Sequence, residues 1–359
     1  MRKTYAYTHK PIEFDFKQTV DRFFVKEIPL YNFTGKGNYL ILKIQKQDMS
    51  TSKLLTVLAA SAKCEVGEIG YAGLKDKSAT TIQYISLPKK YEKELLKNLD
   101  TPRVNIVEKT YHKSPIKIGA LKGNSFKIVL HSVDAQSAKS FDNVCSKISK
   151  YGIPNYFGYQ RFGEDSRSHL QGKEIAHSGK RLKGAREKLL VSSYQSYLFN
   201  QWLSYRVEIS KTIANNPPQK AASKLEFPQE LVEMLKKQPQ FFKLFIGEVM
   251  SEYPYGKEFF ANDINKVTSK FAKAMVVPTG LLCGDRVQRA KSDARYLEER
   301  YDDNELTTLN GDRRFAWIYP KALKTHYHKK AQELTVEFFL PKGSYATTLL
   351  EEIGKLPLL

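Results

Sequence analysis

Cysteine is scarce in this chain, three in 359 residues. Cys64, Cys145 and Cys283 stand far apart, with no Cys-x-x-Cys and no cysteine–histidine spacing, which argues against a zinc site and a disulfide framework alike. His326-Tyr327-His328 is a close histidine pair without a carboxylate or cysteine at metal spacing, and it reads as a polar loop. Long apolar runs are missing too. Nothing approaches the ~18 residues of a spanning helix and no h-region follows Met1-Arg2-Lys3, so the expectation is no membrane and a cytoplasmic setting. With neither a Walker loop nor a strand-linked Gly-x-Gly-x-x-Gly, nucleotide cofactors lack support, and so does a methyltransferase acting on RNA. Acidic residues are in deficit: 38 Asp+Glu face 58 Lys+Arg, a formal net charge of +20. Such an excess suits a polyanionic partner. A genome-wide lysine bias would produce it as well, but the lysines are spread along a 41% hydrophobic chain rather than collected in a tail. That distribution favours a shaped nucleic-acid surface over a disordered basic arm.

What is present centres on Tyr71-Ala72-Gly73-Leu74-Lys75-Asp76-Lys77-Ser78. One carboxylate lies between two lysines on a glycine turn, and nearby positive charge favours its ionised form, as a nucleophile or base requires. The same residues also make an ordinary solvated turn in which Asp76 only caps the next element. Asn155-Tyr156-Phe157-Gly158-Tyr159-Gln160-Arg161-Phe162-Gly163 interleaves aromatics, glycines, a glutamine and an arginine, which suits contact with unstacked bases and backbone. A tightly packed hinge explains it equally well. Lys75, Lys77, Phe157, Gln160 and Arg161 are the RNA-binding candidates. In Gly123-Asn124-Ser125-Phe126, Gly123 lets backbone come close to a ligand and Asn124 tolerates a left-handed conformation, although a plain hairpin entry is sufficient.

The coarse structure is mixed. Tyr39 to Ile44 is an aliphatic strand, and Ser50-Thr51 offers an N-cap to a helix carrying Leu54, Leu55 and Leu58. Thr80 to Leu87 reads as a strand stopped by Pro88, which places Asp76 in a helix-to-strand connection. Phe126 to Leu130 is another strand. Leu334, Val336, Phe338 and Leu340 alternate with polar residues, and Pro341-Lys342-Gly343-Ser344 turns that strand into a helix, Tyr345 to Ile353. Residues 210 to 240, with Asn215-Asn216-Pro217-Pro218, look like a polar excursion between helices. Strands at both ends and a helix-rich centre suggest one domain inserted into another.

Several stretches together resemble the signature blocks of one family. Phe23-Phe24-Val25-Lys26-Glu27-Ile28, Gly70 to Lys77, Gly119 to Phe126, Asn155 to Gly163, Ser193 to Gln201, Pro278 to Leu282 and Leu340 to Thr347 are similar, in order, to blocks of the TruD tRNA pseudouridine synthases. The resemblance implies an α+β fold: a pseudouridine-synthase core with a mixed, mainly antiparallel sheet from residues 1–155 and 312–359, and an α/β TRUD domain inserted as 156–311. It implies that Asp76 is the catalytic aspartate, that Phe126 stacks on the target uracil, and that Asn124 and Lys17 support the site, Lys17 as the basic partner of the aspartate. It implies conversion of uridine 13 in the tRNA D-arm to pseudouridine, with no cofactor and no metal. Two departures stand out: Ser78 where many relatives are basic, and a lengthened, lysine-rich stretch at 210 to 245. A catalytically silent tRNA-binding protein or chaperone on the same fold is the alternative. A monomer is expected, since no heptad or apolar stripe asks for a partner.

Overall fold

The computed structural model describes residues 3–163 and 165–358. Two compact units emerge, one formed by Ile12–Cys145 with Pro320–Gly343, the other by Met1–Pro11, Ser146–Tyr319 and Ser344–Leu359.

The first unit is built on an eight-stranded mixed sheet. Its strands include β1 (Phe23–Pro29), β2 (Tyr39–Gln47), β3 (Gly70–Tyr71), β4 (Thr80–Pro88), β5 (Val104–His112) and β6 (Leu121–Leu130), with the hairpin Lys321–His328 and Glu333–Pro341 at one edge. Every pairing is antiparallel except β1 with β4. Helix α1 (Thr51–Ala62) starts where the sequence places its cap, the Ser50 hydroxyl accepting from the Lys53 N–H. Its Leu54, Leu55 and Leu58 cover Leu42, Ile44 and Ile85 on one face of the sheet. The histidine pair is not in a loop: His326 and His328 lie within the edge strand, opposite Thr335 and Glu333. Gly123 lies inside β6 instead of opening a hairpin, and it has no left-handed φ. Its missing side chain serves close packing, because a Cβ there would fall 2.1 Å from the Leu340 carbonyl oxygen and 2.6 Å from the Phe339 ring.

The second unit surrounds the long helix Gly184–Asn215. A four-stranded sheet in the order Asp312–Phe315, Val276–Leu282, Val249–Glu252, Glu258–Phe260 packs on it, so closely that a Cβ at Gly280 would meet Trp202 at 2.3 Å. The cuts drawn from sequence at 155 and 311 fall inside this unit. The Tyr7 N–H donates to Glu352 Oε1 at 3.0 Å, the Thr4 N–H to Ser204 Oγ at 3.1 Å and the Tyr156 hydroxyl to the Thr4 carbonyl at 2.9 Å, so both chain ends pack with the middle. Residues 210 to 240 are packed helix and not a polar excursion. Pro218–Leu225 and Gln229–Lys237 bury Ala221, Val232 and Leu235 against Ile209, Ile213 and Phe245. Among the described residues no helix is long and apolar enough to cross a membrane, and no group of three or more His, Cys, Asp or Glu could hold a metal ion.

Gly123→Ala is expected to destabilise the protein by roughly 1–3 kcal/mol, the usual cost of overpacking. The urea-unfolding midpoint checks it, with an unchanged midpoint showing that the close approach of Glu333–Pro341 is not a tight constraint.

Candidate active site

Cross-strand partners in a sheet carry their side chains on the same face. Lys46 on β2 is opposite Thr81 on β4, Thr81 opposite Val25 on β1, Val25 opposite Phe126 on β6, and Phe126 opposite Phe338. One row therefore runs from an ammonium to an aromatic cluster, the strands of Lys46 and Phe126 lying about 14 Å apart at ~4.8 Å per strand. Phe126 stacks on Phe338 with ring centroids 5.2 Å apart and planes 23° off parallel, and Phe23 lies 6.1 Å away. In the adjoining row, Asn124 is opposite Glu27.

The loop between β3 and β4 brings Asp76 to this face. Three contacts fix its backbone. The Lys75 N–H donates to Thr51 Oγ1 at 2.9 Å, and that hydroxyl, in the first turn of α1, donates on to Gln83 Oε1 at 3.2 Å. The Lys75 ammonium turns inward and meets Glu27 Oε2 at 2.5 Å, both side chains being buried. Lys46 Nζ donates to the Asp76 carbonyl at 2.8 Å and to the Met49 carbonyl. Among the described residues none donates to, or ion-pairs with, the Asp76 carboxylate, which is half-buried. The backbone is held and the carboxylate is left unengaged by the described residues.

The electrostatics differ from what the flanking lysines suggest. Lys75 is spent on Glu27, and Lys77 is exposed. The amine that couples to Asp76 is Lys46, thirty residues upstream. Burial pushes its ammonium down to about 8, with the Asp76 charge drawing it back up and Lys75 opposing. Lys17 is exposed in the segment before β1 and makes no ion pair among the described residues. Lys46 and Glu27 are the residues that sequence reasoning passed over. Beside them, Thr81 Oγ1, Gln83 Nε2 and Asn124 Oδ1 are buried without a hydrogen-bond partner, a polar floor under an apolar wall. Burial raises the Cys145 thiol well above its ordinary value and the Cys283 thiol to about 11, so neither is a ready nucleophile.

Phe157, Gln160 and Arg161 belong to the other unit. Phe157 is buried, its N–H and carbonyl both held by the Asn200 amide at 2.8 and 3.1 Å. Gln160 is exposed, and Arg161 donates to the Ser192 and Ser196 hydroxyls.

A family model described as tRNA pseudouridine synthase D (TruD) matches residues 2–181 and 176–353. The tRNA pseudouridine synthase D of Nitratiruptor sp. is 44% identical over 356 residues, covering 99% of this chain and 98% of the relative. That of Sulfurimonas denitrificans is 43% identical over 357 residues, covering 99% of each. In three dimensions the chain is similar to a Methanosarcina mazei protein assigned as TruD, with a TM-score of 0.69 at 19% identity over 98% of this chain and 96% of that one.

Two measurements test the clamp on the loop. Lys75→Met leaves the Glu27 carboxylate buried and unpaired, which is expected to cost about 3–5 kcal/mol; adding Glu27→Leu should recover most of it. Equal losses in the single and double variants would show that the pair is not what holds the loop. Lys46 carries a signature in pH. Its folded value of about 8 lies below the ordinary 10.5, so protonation favours the unfolded chain, a penalty complete below pH 8 and lost as pH rises towards 10.5. The stability of the wild type relative to Lys46→Met should therefore rise by about 3 kcal/mol across that window. A flat difference would place the amine in water.

Proposed function

The chain belongs to the tRNA pseudouridine synthase D (TruD) family, and on that premise we propose that it is a tRNA pseudouridine(13) synthase, converting the D-arm uridine with Asp76 as its catalytic carboxylate. The observation that carries the assignment is the Asp76 loop itself, a backbone clamped at three points that presents an unpaired carboxylate on the sheet face bearing Phe126 and Asn124. A pure binding protein has no use for that arrangement.

The chemistry is balanced without a co-reactant. The C1'–N1 bond breaks, the uracil turns, and a C1'–C5 bond forms; C5 loses a proton and N1 gains one. Nothing is oxidised or reduced, so no cofactor is called for. The Asp76 carboxylate starts the sequence either by adding covalently to the nucleotide or by taking a sugar proton to leave a glycal. Phe126 offers a ring face on which the detached base can turn while remaining held, its own plane fixed by Phe338. Asn124 Oδ1, without a partner, is an acceptor for a base N–H. Every one of these groups comes from the Ile12–Cys145 and Pro320–Gly343 unit of one chain, so a monomer suffices. The uridine must leave its stack to be reached, at a cost of a few kcal/mol that phosphate contacts repay. We assign that docking to Lys77, Gln160 and Arg161 as well as to the general basic excess. Lys75 is better placed as a structural cation, and Lys46 as the amine that steadies Asp76.

Unmodified tRNA transcripts incubated with wild type or Asp76→Ala, then carbodiimide-labelled and read by primer extension, test the reading. A stop at the D-arm uridine with the wild type, absent with the variant although tRNA binding persists, is the expected result. Binding without a stop from the wild type would leave a tRNA-binding protein or chaperone in its place.

A further inference from the structure

The two most buried arginines are matched with acids, Arg206 with Glu248 and Arg313 with Glu298 at 2.6 Å. Arg314, the next residue, has no carboxylate partner among the described residues. Its Nε and Nη2 donate to the Asn155 carbonyl at 3.3 and 3.1 Å, and Nη2 also to Asn155 Oδ1 at 3.2 Å. Its guanidinium carbon lies 3.8 Å from the centroid of the Phe157 ring, with Phe199 at 5.4 Å and Tyr345 at 5.9 Å.

A second guanidinium addresses the same ring. Arg161 is 5.8 Å from the Phe157 centroid and is held by two serine hydroxyls, again without a carboxylate among the described residues. In both arginines Nη1 makes no hydrogen bond to a described residue. Burial, together with the neighbouring Arg161 charge, lowers the Arg314 guanidinium to about 10 after a partial offset by Tyr345. Gly158 lies between Phe157 and this segment, where a Cβ would meet Thr347 Oγ1 at 2.9 Å and Tyr345 at 3.1 Å. That threonine hydroxyl is buried and has no partner either. Two guanidiniums that address one aromatic ring, with an orphaned hydroxyl near the adjoining Gly158 and no carboxylate partner among the described residues, form a site short of an anion.

We propose that Arg161 and Arg314, which both address the Phe157 ring, with Thr347 near the adjoining Gly158, form a clamp for one phosphodiester of the RNA backbone. The inference deepens the tRNA-modifying reading and rests on it for the source of the phosphate. Two planar guanidiniums can meet a phosphate through paired N–H donors, a geometry that a lysine cannot supply. The Phe157 face supports Arg314 by cation–π contact, and the Asn200 amide grips the Phe157 backbone from both sides, so the clamp is preformed.

The test is the salt dependence of binding to an unmodified tRNA transcript, measured for wild type, Arg161→Gln, Arg314→Gln and Asp76→Ala. Each arginine variant should lower the magnitude of the slope of log K against log salt by about 0.7–0.9, while Asp76→Ala keeps the wild-type slope. Urea midpoints show which variants fold; if Arg314→Gln does not, the half-buried Arg161→Gln decides alone. A folded Arg161→Gln with wild-type affinity and slope overturns the clamp. So does a thermal shift produced by inorganic phosphate at fixed ionic strength that Arg161→Gln abolishes while the tRNA slope stays intact, since the site would then serve a free anion. Reduced slopes without any pseudouridine would sink the isomerase reading and keep the clamp; pseudouridine with unaltered slopes would do the reverse.

Discussion

A lysine ammonium taken out of water needs a counter-charge, and Lys75 finds its own on β1, in Glu27. Much of the candidate site follows from that pairing. Glu27 faces the right way only because β1 holds its register against β6 and β4; a slip of one residue would turn Glu27 to the opposite face along with Phe23 and Val25. The aromatic wall and the acid that anchors the loop are thus set by the same strand, three residues of one face. Asp76 is the next residue after the anchor, so the carboxylate has little freedom in where it emerges.

The arrangement separates holding from reacting. Lys46 bonds to the carbonyl of Asp76, and Thr51 to the amide of Lys75, so both contacts act on main chain and neither consumes the carboxylate. A direct Lys46–carboxylate ion pair would have stabilised the charge while occupying the carboxylate lone pairs. Placement through the backbone, with the Lys46 ammonium close by, leaves both carboxylate oxygens available. Phe126 is braced in a comparable way, its buried ring set between Phe338 and Phe23.

Local patterns carried the parts of this that the sequence disclosed. The Ser50 cap, the aliphatic strand from Tyr39 and the β-branched strand stopped at Pro88 are each decided within a few residues, and the structure has each of them, whereas Asp76 lies in an irregular loop between two strands and not in a glycine turn leading from helix to strand. The TruD resemblance pointed to Asp76, Phe126 and Asn124 together; Phe126 and Asn124 share one face of the sheet, and the loop carrying Asp76 is tied to Lys46 and Glu27 on that face. Lys46 and Glu27 were hidden because each ends a run that looks like ordinary strand. A period-two signal was nonetheless there: Phe23, Val25 and Glu27 share parity, as do Leu42, Ile44 and Lys46, so each charge continues an apolar face. The domain cuts at 155 and 311 were less legible, because the contacts of Thr4, Tyr7 and Glu352 span more than 150 residues and leave no local mark.

The charge of +20 also needs dividing before it is read as affinity for RNA. Lys46 and Lys75 are internal, and Arg206 and Arg313 are matched by buried glutamates, so these four cations add little to an outward field. What remains is of two kinds. Exposed lysines such as Lys77 contribute a diffuse potential that steers a polyanion and is screened within about 8 Å at physiological salt. Arg161 and Arg314 are different, being fixed on a braced ring, partly desolvated and without a carboxylate partner among the described residues, which makes a contact there directional. Two adjacent arginines, 313 and 314, thus play opposite parts because one faces Glu298 and the other faces carbonyls and rings. Net charge says that a polyanion will be attracted; only the distribution of counter-charges says where it would be gripped.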